Sequence, residues 1–229
     1  MNAALRIRYR LDLPDGTQTT LDFHFDPSSF RLMNAPPAEP PFWSELAFNR
    51  CANCPLAVAD HRHCPAALHM ASTLEPLKSL VSFDTVAVTV VQAERTVTAE
   101  TSAQQAMSSI LGLIMATSGC PWTDRLRPMA RFHLPFASET ETLYRTISMY
   151  LLARRIAGGE QAGDFGALEE LYRNLHVVNR DMSRRLGAAT RSDPARNALA
   201  LLDSYTTLLP AVLERSLEEL APLFDAWRT

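Results

Sequence analysis

The sequence Leu5-Arg-Ile-Arg-Tyr-Arg-Leu-Asp-Leu13 decides how this chain begins to fold. Apolar and charged residues alternate along it with a period of two, which is the pattern of a strand that buries one face. Pro14-Asp15-Gly16 supplies a turn, and Leu21, Phe23 and Phe25 then alternate with polar residues in the same way. The pattern therefore predicts a β-hairpin at the start of the chain.

A second hairpin is predicted further along the chain. Thr85 to Val91 and Arg95 to Thr101 are rich in β-branched residues and flank the short polar segment Gln92-Ala93-Glu94. From Ser102 onward the apolar residues recur at helical spacing. Capping-box patterns predict helix starts at Ser102 and Ser138, and Gly119 is placed to end the first of these helices. We therefore expect an α+β fold, in which two N-terminal β-hairpins form a small antiparallel sheet packed on a mainly helical C-terminal half.

The length and composition fit one domain. The chain has 229 residues, of which 47% are hydrophobic, enough to bury a sizeable core. We expect a single domain over residues 1–229, with the hairpins and the cysteine segment in 1–101 and the helical half in 102–229. Residues 34–41 hold four prolines, which favour an extended connector between the first hairpin and the cysteines.

Several classes of function are disfavoured. The formal net charge is −3, so no basic excess is present to neutralise a duplex nucleic acid. The N-terminus lacks the apolar run of a signal peptide, and the longest apolar stretch, Ile110 to Ala116, is too short to cross a membrane. We find no phosphate-binding loop, dinucleotide fingerprint, nucleophile elbow or paired-carboxylate site. These features predict a cytoplasmic protein that does not bind membranes.

The four cysteines are the candidate metal ligands. Cys51 and Cys54 form a Cys-x2-Cys pair, Cys64 follows after nine residues, and Cys120 lies 56 positions beyond Cys64. A Cys-x2-Cys loop can place both sulfurs on one ion. In a reducing cytoplasm, clustered cysteines indicate metal or thiol chemistry rather than disulfides. The sequence therefore predicts one metal centre with four thiolate ligands.

Three of these cysteines, Cys54, Cys64 and Cys120, directly precede a proline. Proline is favoured at the first position of a helix, so each of the three is a plausible N-cap residue. There the free backbone N–H groups and the helix dipole stabilise a thiolate. We therefore expect three helix N-termini to converge on the centre, with Phe42, Trp43, Leu46 and Phe48 covering it or packing in the core.

The identity of the metal stays open between two candidates. Structural zinc usually has two short cysteine knuckles, whereas one pair and two separate ligands occur here. Cys-Pro and three grouped cysteines with a remote fourth are compatible with an iron–sulfur cluster, so we favour a [4Fe–4S] cluster over zinc. The alternative without metal is a thiol redox enzyme that uses Cys51 and Cys54. His61, His63 and His69 flank Cys64 and are weaker candidates for ligands.

Three polar residues follow the fourth cysteine in an otherwise apolar segment. Arg127, Arg131 and His133 could donate hydrogen bonds to cluster sulfurs or bind an anionic cofactor, and we expect them near Cys120. They could instead satisfy backbone carbonyls in an irregular loop.

Several motifs carry a resemblance that extends over most of the chain. They are CANCPL (51–56), HCPAA (63–67), TSGCP (117–121), RPMARFHLPFA (127–137) and SMYLL (148–152). Together with the opening hairpin they resemble an uncharacterised bacterial domain family. The resemblance implies one bacterial domain, and it assigns no catalytic role to any residue.

These observations lead to one functional expectation and two alternatives. We expect a bacterial cytoplasmic protein whose four-cysteine centre serves sensing, electron transfer or partner recognition. A protein is the expected partner, and the oligomeric state is left open. The alternatives are the thiol redox enzyme and a zinc-stabilised interaction module.

Overall fold

A computed structural model of the chain describes residues 5–158, 164–189 and 193–227, and it contains one four-stranded antiparallel sheet. The strands are β1 (Leu5–Asp12), β2 (Gln18–Phe25), β3 (Thr85–Val91) and β4 (Thr96–Ser102). Their order in the sheet is β2-β1-β3-β4, so β1 and β3 lie in the middle. Both predicted hairpins are confirmed.

The alternating pattern of β1 decides which face of the sheet is buried. Tyr9 pairs with Leu21 on one side and Val90 on the other, and all three side chains point into the core. On the opposite face, Arg6 and Asp22 form an ion pair at 2.7 Å. Since side chains alternate along a strand, a slip of one residue would move the charged set into the core, so this register is strongly specified.

Six α-helices are present in the described residues. They are α1 (Pro65–Leu74), α2 (Ala103–Thr117), α3 (Arg127–Arg131), α4 (Glu139–Ile156), α5 (Gly166–Ala189) and α6 (Asp193–Leu220). Two begin at the predicted serine caps. Ser102 accepts a hydrogen bond from the Gln105 backbone N–H, and Ser138 and Glu141 form a reciprocal capping box. The predicted α+β class is confirmed.

Helix α2 is the centre of the main core. Ile110, Leu111 and Ile114 are fully buried, and this helix contacts β3, β4, α1 and α6. A smaller apolar cluster joins α4, α5 and the end of α6, with Leu168 and Leu175 fully buried. Within the described residues, no helix is long and apolar enough to cross a membrane.

Two prolines influence where helices end and begin near the cysteine segments. The helix after Cys64 ends at Leu74 and continues only as a 3-10 helix over Glu75–Leu77, because Pro76 interrupts the α-helical hydrogen bonds. Residues 127–131, for which an irregular loop was one interpretation, form α3, since Pro128 is compatible with the first turn of a helix.

Candidate metal centre at the four cysteines

Three separate segments bring cysteines together beside helix α5. Each pair among Cys51, Cys64 and Cys120 is close enough for the charge on one thiolate to raise the pKa of another. Cys54 lies one turn from Cys51, whose carbonyl accepts a hydrogen bond from the Cys54 N–H at 3.1 Å. All four thiols are free.

The loop from Cys51 to Cys54 is tied to two neighbours through its central residues. The Ala52 backbone N–H donates to Asp181 Oδ2 of α5 at 2.9 Å. The Asn53 side chain donates to the Asn174 carbonyl, about two turns away on the same helix, at 3.0 Å. Trp122 Nε1 donates to the Asn53 carbonyl at 2.8 Å. These bonds fix the loop between α5 and the segment that follows Cys120.

Cys64 is the N-cap residue of α1, with Pro65 in the first turn, as the sequence predicts. Its own N–H donates to the Ser44 carbonyl at 2.8 Å, which anchors the start of the helix. Burial raises the pKa of the Cys64 thiol, and the backbone N–H groups of Ala66 and Ala67 lower it in part. These N–H groups are oriented to favour a thiolate, although neither forms a full capping hydrogen bond.

Cys120 is positioned by the end of α2. Gly119 has a φ of +89°, a conformation that glycine adopts at little cost, and it turns the chain after the helix. The Cys120 carbonyl then accepts a hydrogen bond from the Asp124 N–H at 2.9 Å. The predicted role of Gly119 in ending the helix is confirmed.

Only one of the three predicted helix N-caps at cysteine is correct. Pro55 follows Cys54 in a turn, and the backbone carbonyls of Cys54 and Leu56 accept hydrogen bonds from Arg50, at 2.7 and 2.6 Å, instead of from a following helix. After Cys120, a 3-10 helix over Thr123–Leu126 begins with Trp122 as its N-cap residue. A Cys-Pro pair favours a helix start but does not require one, because proline fits turns equally well.

Arg185 of α5 is the cation beside the cysteines. Its side chain is 1% exposed and donates to the carbonyls of Trp43 and Glu45 at 2.7 and 2.6 Å. Its charge lowers the pKa of both Cys51 and Cys64. Its Nε–H is buried and has no hydrogen-bond partner among the described residues. A buried donor without an acceptor is costly, so this N–H is available to an anionic group at the cysteines.

The electrostatic balance keeps the thiol of Cys51 protonated at neutral pH in the protein alone. Burial raises its pKa to about 12, with smaller contributions from Cys64, Cys120 and Asp181. Burial also disfavours the charge of Asp181, but the Ala52 N–H and Arg180 outweigh this effect and hold the pKa of that carboxyl below its usual value. The site therefore combines the Asp181 carboxylate, the buried Arg185 guanidinium and a protonated Cys51 thiol.

The cysteines are neighbours, but they do not form a set of metal ligands as they stand. Among the described residues, no group of three or more His, Cys, Asp or Glu side chains has an arrangement that would hold a metal ion without movement. Charge effects between thiols act over several ångströms more than the radius of a ligand shell. A metal centre would thus require the cysteine side chains to move closer together.

The three predicted cofactor-binding residues make their contacts elsewhere. Arg127 donates to the Ser29 carbonyl at 3.1 Å and pairs with Asp124. Arg131 lies over the rings of Phe30 and Phe132 and reaches Glu94 at 3.3 Å.

His133 is buried against the sheet, where its ring nitrogen shares a hydrogen bond with Tyr9 Oη. The proposed action of Arg127, Arg131 and His133 on the centre stays a prediction.

The flanking histidines and aromatic residues have structural roles in this arrangement. His63 Nδ1 shares a hydrogen bond with Ser44 Oγ at 2.9 Å, and His61 is exposed. His69 is half-buried on α1, and burial lowers its pKa. Trp43 and Leu46 are part of the main core, as the packing interpretation predicts.

Asp181 and Arg185 are the residues that sequence reasoning missed. They stand four apart on a helix, a spacing that ordinarily indicates an ion pair on a solvated face. Arg185 instead donates to backbone carbonyls of the segment before the cysteines. Nothing in the local pattern distinguishes a buried arginine of this kind from an exposed one.

Comparisons with known proteins place the chain in one family. No curated protein and no solved structure matches the chain. The family model described as "Domain of unknown function (DUF6901)" matches residues 7–225. That match includes both hairpins, all four cysteines and helices α1 to α6. The chain therefore belongs to the DUF6901 family of domains of unknown function.

Proposed function

We propose that Cys51, Cys54, Cys64 and Cys120 bind one metal centre, a [4Fe–4S] cluster in preference to zinc. In this proposal the protein acts in the bacterial cytoplasm in sensing, electron transfer or partner recognition, and its partner is a protein. The free thiols are compatible with a reducing compartment.

The observation that carries the proposal is the unpaired N–H of Arg185. A guanidinium that is 1% exposed is stable only if anions or carbonyls surround it, and three carbonyls satisfy only its two terminal nitrogens. The remaining Nε–H has no partner among the described residues, and Cys51 and Cys64 are the thiols whose pKa this arginine lowers. An anionic thiolate centre would supply the missing acceptor and offset the buried charge.

The protonation of Cys51 favours a metal centre over a redox pair. A thiol with a pKa of about 12 is a weak nucleophile at neutral pH, because the thiolate is the reactive species. A bound metal ion reverses this preference, since a coordinating thiol loses its proton. The protonated Cys51 thiol thus remains a suitable ligand, whereas catalysis by Cys51 would require a lowered pKa.

Metal analysis of protein prepared without oxygen tests the proposal. We expect about one cluster per chain with a broad visible absorption, and Cys64→Ser should lose most of the bound metal. Ser72→Ala, an exposed position on the same helix, is the matched control and should retain the centre.

Two results would contradict the assignment at different levels. A colourless protein with one zinc ion per chain would rule out the cluster but would be compatible with a zinc centre at the four cysteines. Protein without bound metal, even after reconstitution with iron and sulfide or with zinc, would rule out the centre itself.

A further inference from the structure

A second candidate site lies in a cavity among the helices, apart from the cysteines. The cavity has a volume of about 200 Å³ and is lined by parts of α2 to α6. Most of its wall is apolar, with Leu113, Met129 and Leu202 among the lining residues. For comparison, an apolar cavity of about 150 Å³ accepts benzene, so this volume fits a molecule of roughly eight to ten non-hydrogen atoms.

Two buried polar side chains in the wall have no hydrogen-bond partner in the part of the chain that the structure describes. Asn179 of α5 is 5% exposed and Ser108 of α2 is 6% exposed. Neither side chain forms a hydrogen bond to another residue that the structure describes. Both are accessible from the cavity that they line. A buried amide normally makes hydrogen bonds, and losing them costs roughly 1–3 kcal/mol. These groups are therefore placed to bind something in the cavity.

The cavity also has a single charged end. Arg145 of α4 lines it, and no Asp or Glu is found among the described residues of the wall. Its Nη2 donates to the carbonyls of Met129 and Phe132 at 2.6 and 3.0 Å, which leaves Nε and Nη1 without protein acceptors in the described part of the chain. The exposed carboxylate of Glu141, one turn earlier, is engaged by the Ser138 N–H.

His133 completes this end of the cavity as a neutral donor or acceptor. Burial and, to a smaller extent, the nearby charge of Arg145 lower its pKa to about 3. Tyr9 Oη lies between His133 and Ser109, which also lines the cavity, so both polar groups are held in place. An imidazole that stays neutral beside a guanidinium can hydrogen-bond an anion without adding a second buried charge.

We propose that this cavity binds a small monocarboxylate with an apolar body, whose carboxylate group pairs with Arg145. The apolar wall would enclose the body of the ligand, and Asn179 and Ser108 would bond its remaining polar atoms. The inference is independent of the metal centre, because none of the four cysteines lines the cavity.

Calorimetric titration of the full-length protein with benzoate tests the proposal, with benzamide as the uncharged molecule of the same shape. We expect benzoate to bind once per chain, at least tenfold more tightly than benzamide. Arg145→Gln should weaken benzoate binding at least tenfold. Arg173→Gln, the same change at an exposed arginine of α5, is the matched control and should leave binding unchanged.

Either of two outcomes would overturn the proposal: benzoate fails to bind, or benzoate and benzamide bind with equal affinity. Equal benzoate affinity in Arg145→Gln and the unaltered protein would also overturn it, because the carboxylate would then bind elsewhere. Should Arg145→Gln fail to fold, the comparison of benzoate with benzamide in the unaltered protein decides the question alone.

Discussion

At the scale of single residues, His133 shows how burial creates a pH-sensitive group. Its ring is 7% exposed and lies against Tyr9 of the central strand. The sequence identifies this histidine as polar within an apolar segment but cannot show that it reaches β1, 124 residues away. Long-range hydrogen bonds of this kind depend on the packing of α2 and α3, which no local pattern contains.

We expect the stability of the protein to fall between pH 6.5 and pH 3 because of His133. Over this range the unfolded histidine binds a proton, whereas the folded one, with a pKa of about 3, does not. Acid therefore favours unfolding, and the full effect is about 5 kcal/mol at most. Urea unfolding at a series of pH values should give a flatter pH dependence for His133→Gln.

His69 has a pKa lowered in the same direction, so His69→Gln is the comparison for the His133 measurement. It should remove a smaller part of the pH dependence, since His69 is only half-buried. An identical slope in His133→Gln and the unaltered protein would show that His133 is not buried in its neutral form.

At the scale of elements, the sequence predicts the strands and helix starts that depend on residues close together in the chain. The alternation in Leu5–Leu13 was sufficient to predict the first strand. The serine caps at Ser102 and Ser138 were sufficient to predict where two helices start. The Cys-Pro pairs were a weaker guide, because one of three begins a helix. The cysteines come together through Trp122 and through residues of α5, and their spacing contains no sign of either.

We expect Trp122→Phe to weaken the retention of the metal centre with little effect on the fold. The change removes the N–H that holds the Asn53 carbonyl at 2.8 Å, and one such bond contributes about 1 kcal/mol. The rate of metal loss to a chelator should rise severalfold. Trp227→Phe, at a position that is 85% exposed, should leave that rate unchanged. If both variants lose metal at the same rate, Trp122 does not help to retain the metal centre.

At the scale of the whole molecule, the centre would connect parts that are distant in sequence. Cys51, Cys54 and Cys64 precede the second hairpin, and Cys120 follows α2, so coordination would close a loop that contains β3, β4 and α2. Closing a long loop removes much conformational freedom from the unfolded chain. Metal binding should therefore stabilise the sheet and the helices together.

We expect Cys120→Ser to lower metal content and stability in parallel. The substitution leaves three cysteines on one side of the loop, so the constraint on the helical half is lost. Hydrogen exchange should show faster opening in both β3 and α2 than in the unaltered protein. Gly16→Ala, a change at the distant first turn, is a control for non-specific destabilisation, since Gly16 has a φ of +80° and alanine there is strained. If Cys120→Ser still binds metal at full occupancy, Cys120 is not a ligand of the centre.

X-ray absorption spectroscopy of protein purified without oxygen tests the metal centre most directly, because it reports the ligand atoms of the metal. We predict an iron edge with sulfur as the nearest neighbour at about 2.3 Å, the length typical of metal–thiolate bonds, and a second iron shell from the cluster. A zinc edge with four sulfur neighbours would support the four cysteine ligands but show that the metal is zinc. A first shell of nitrogen and oxygen, or no stoichiometric metal, would contradict the four-cysteine centre.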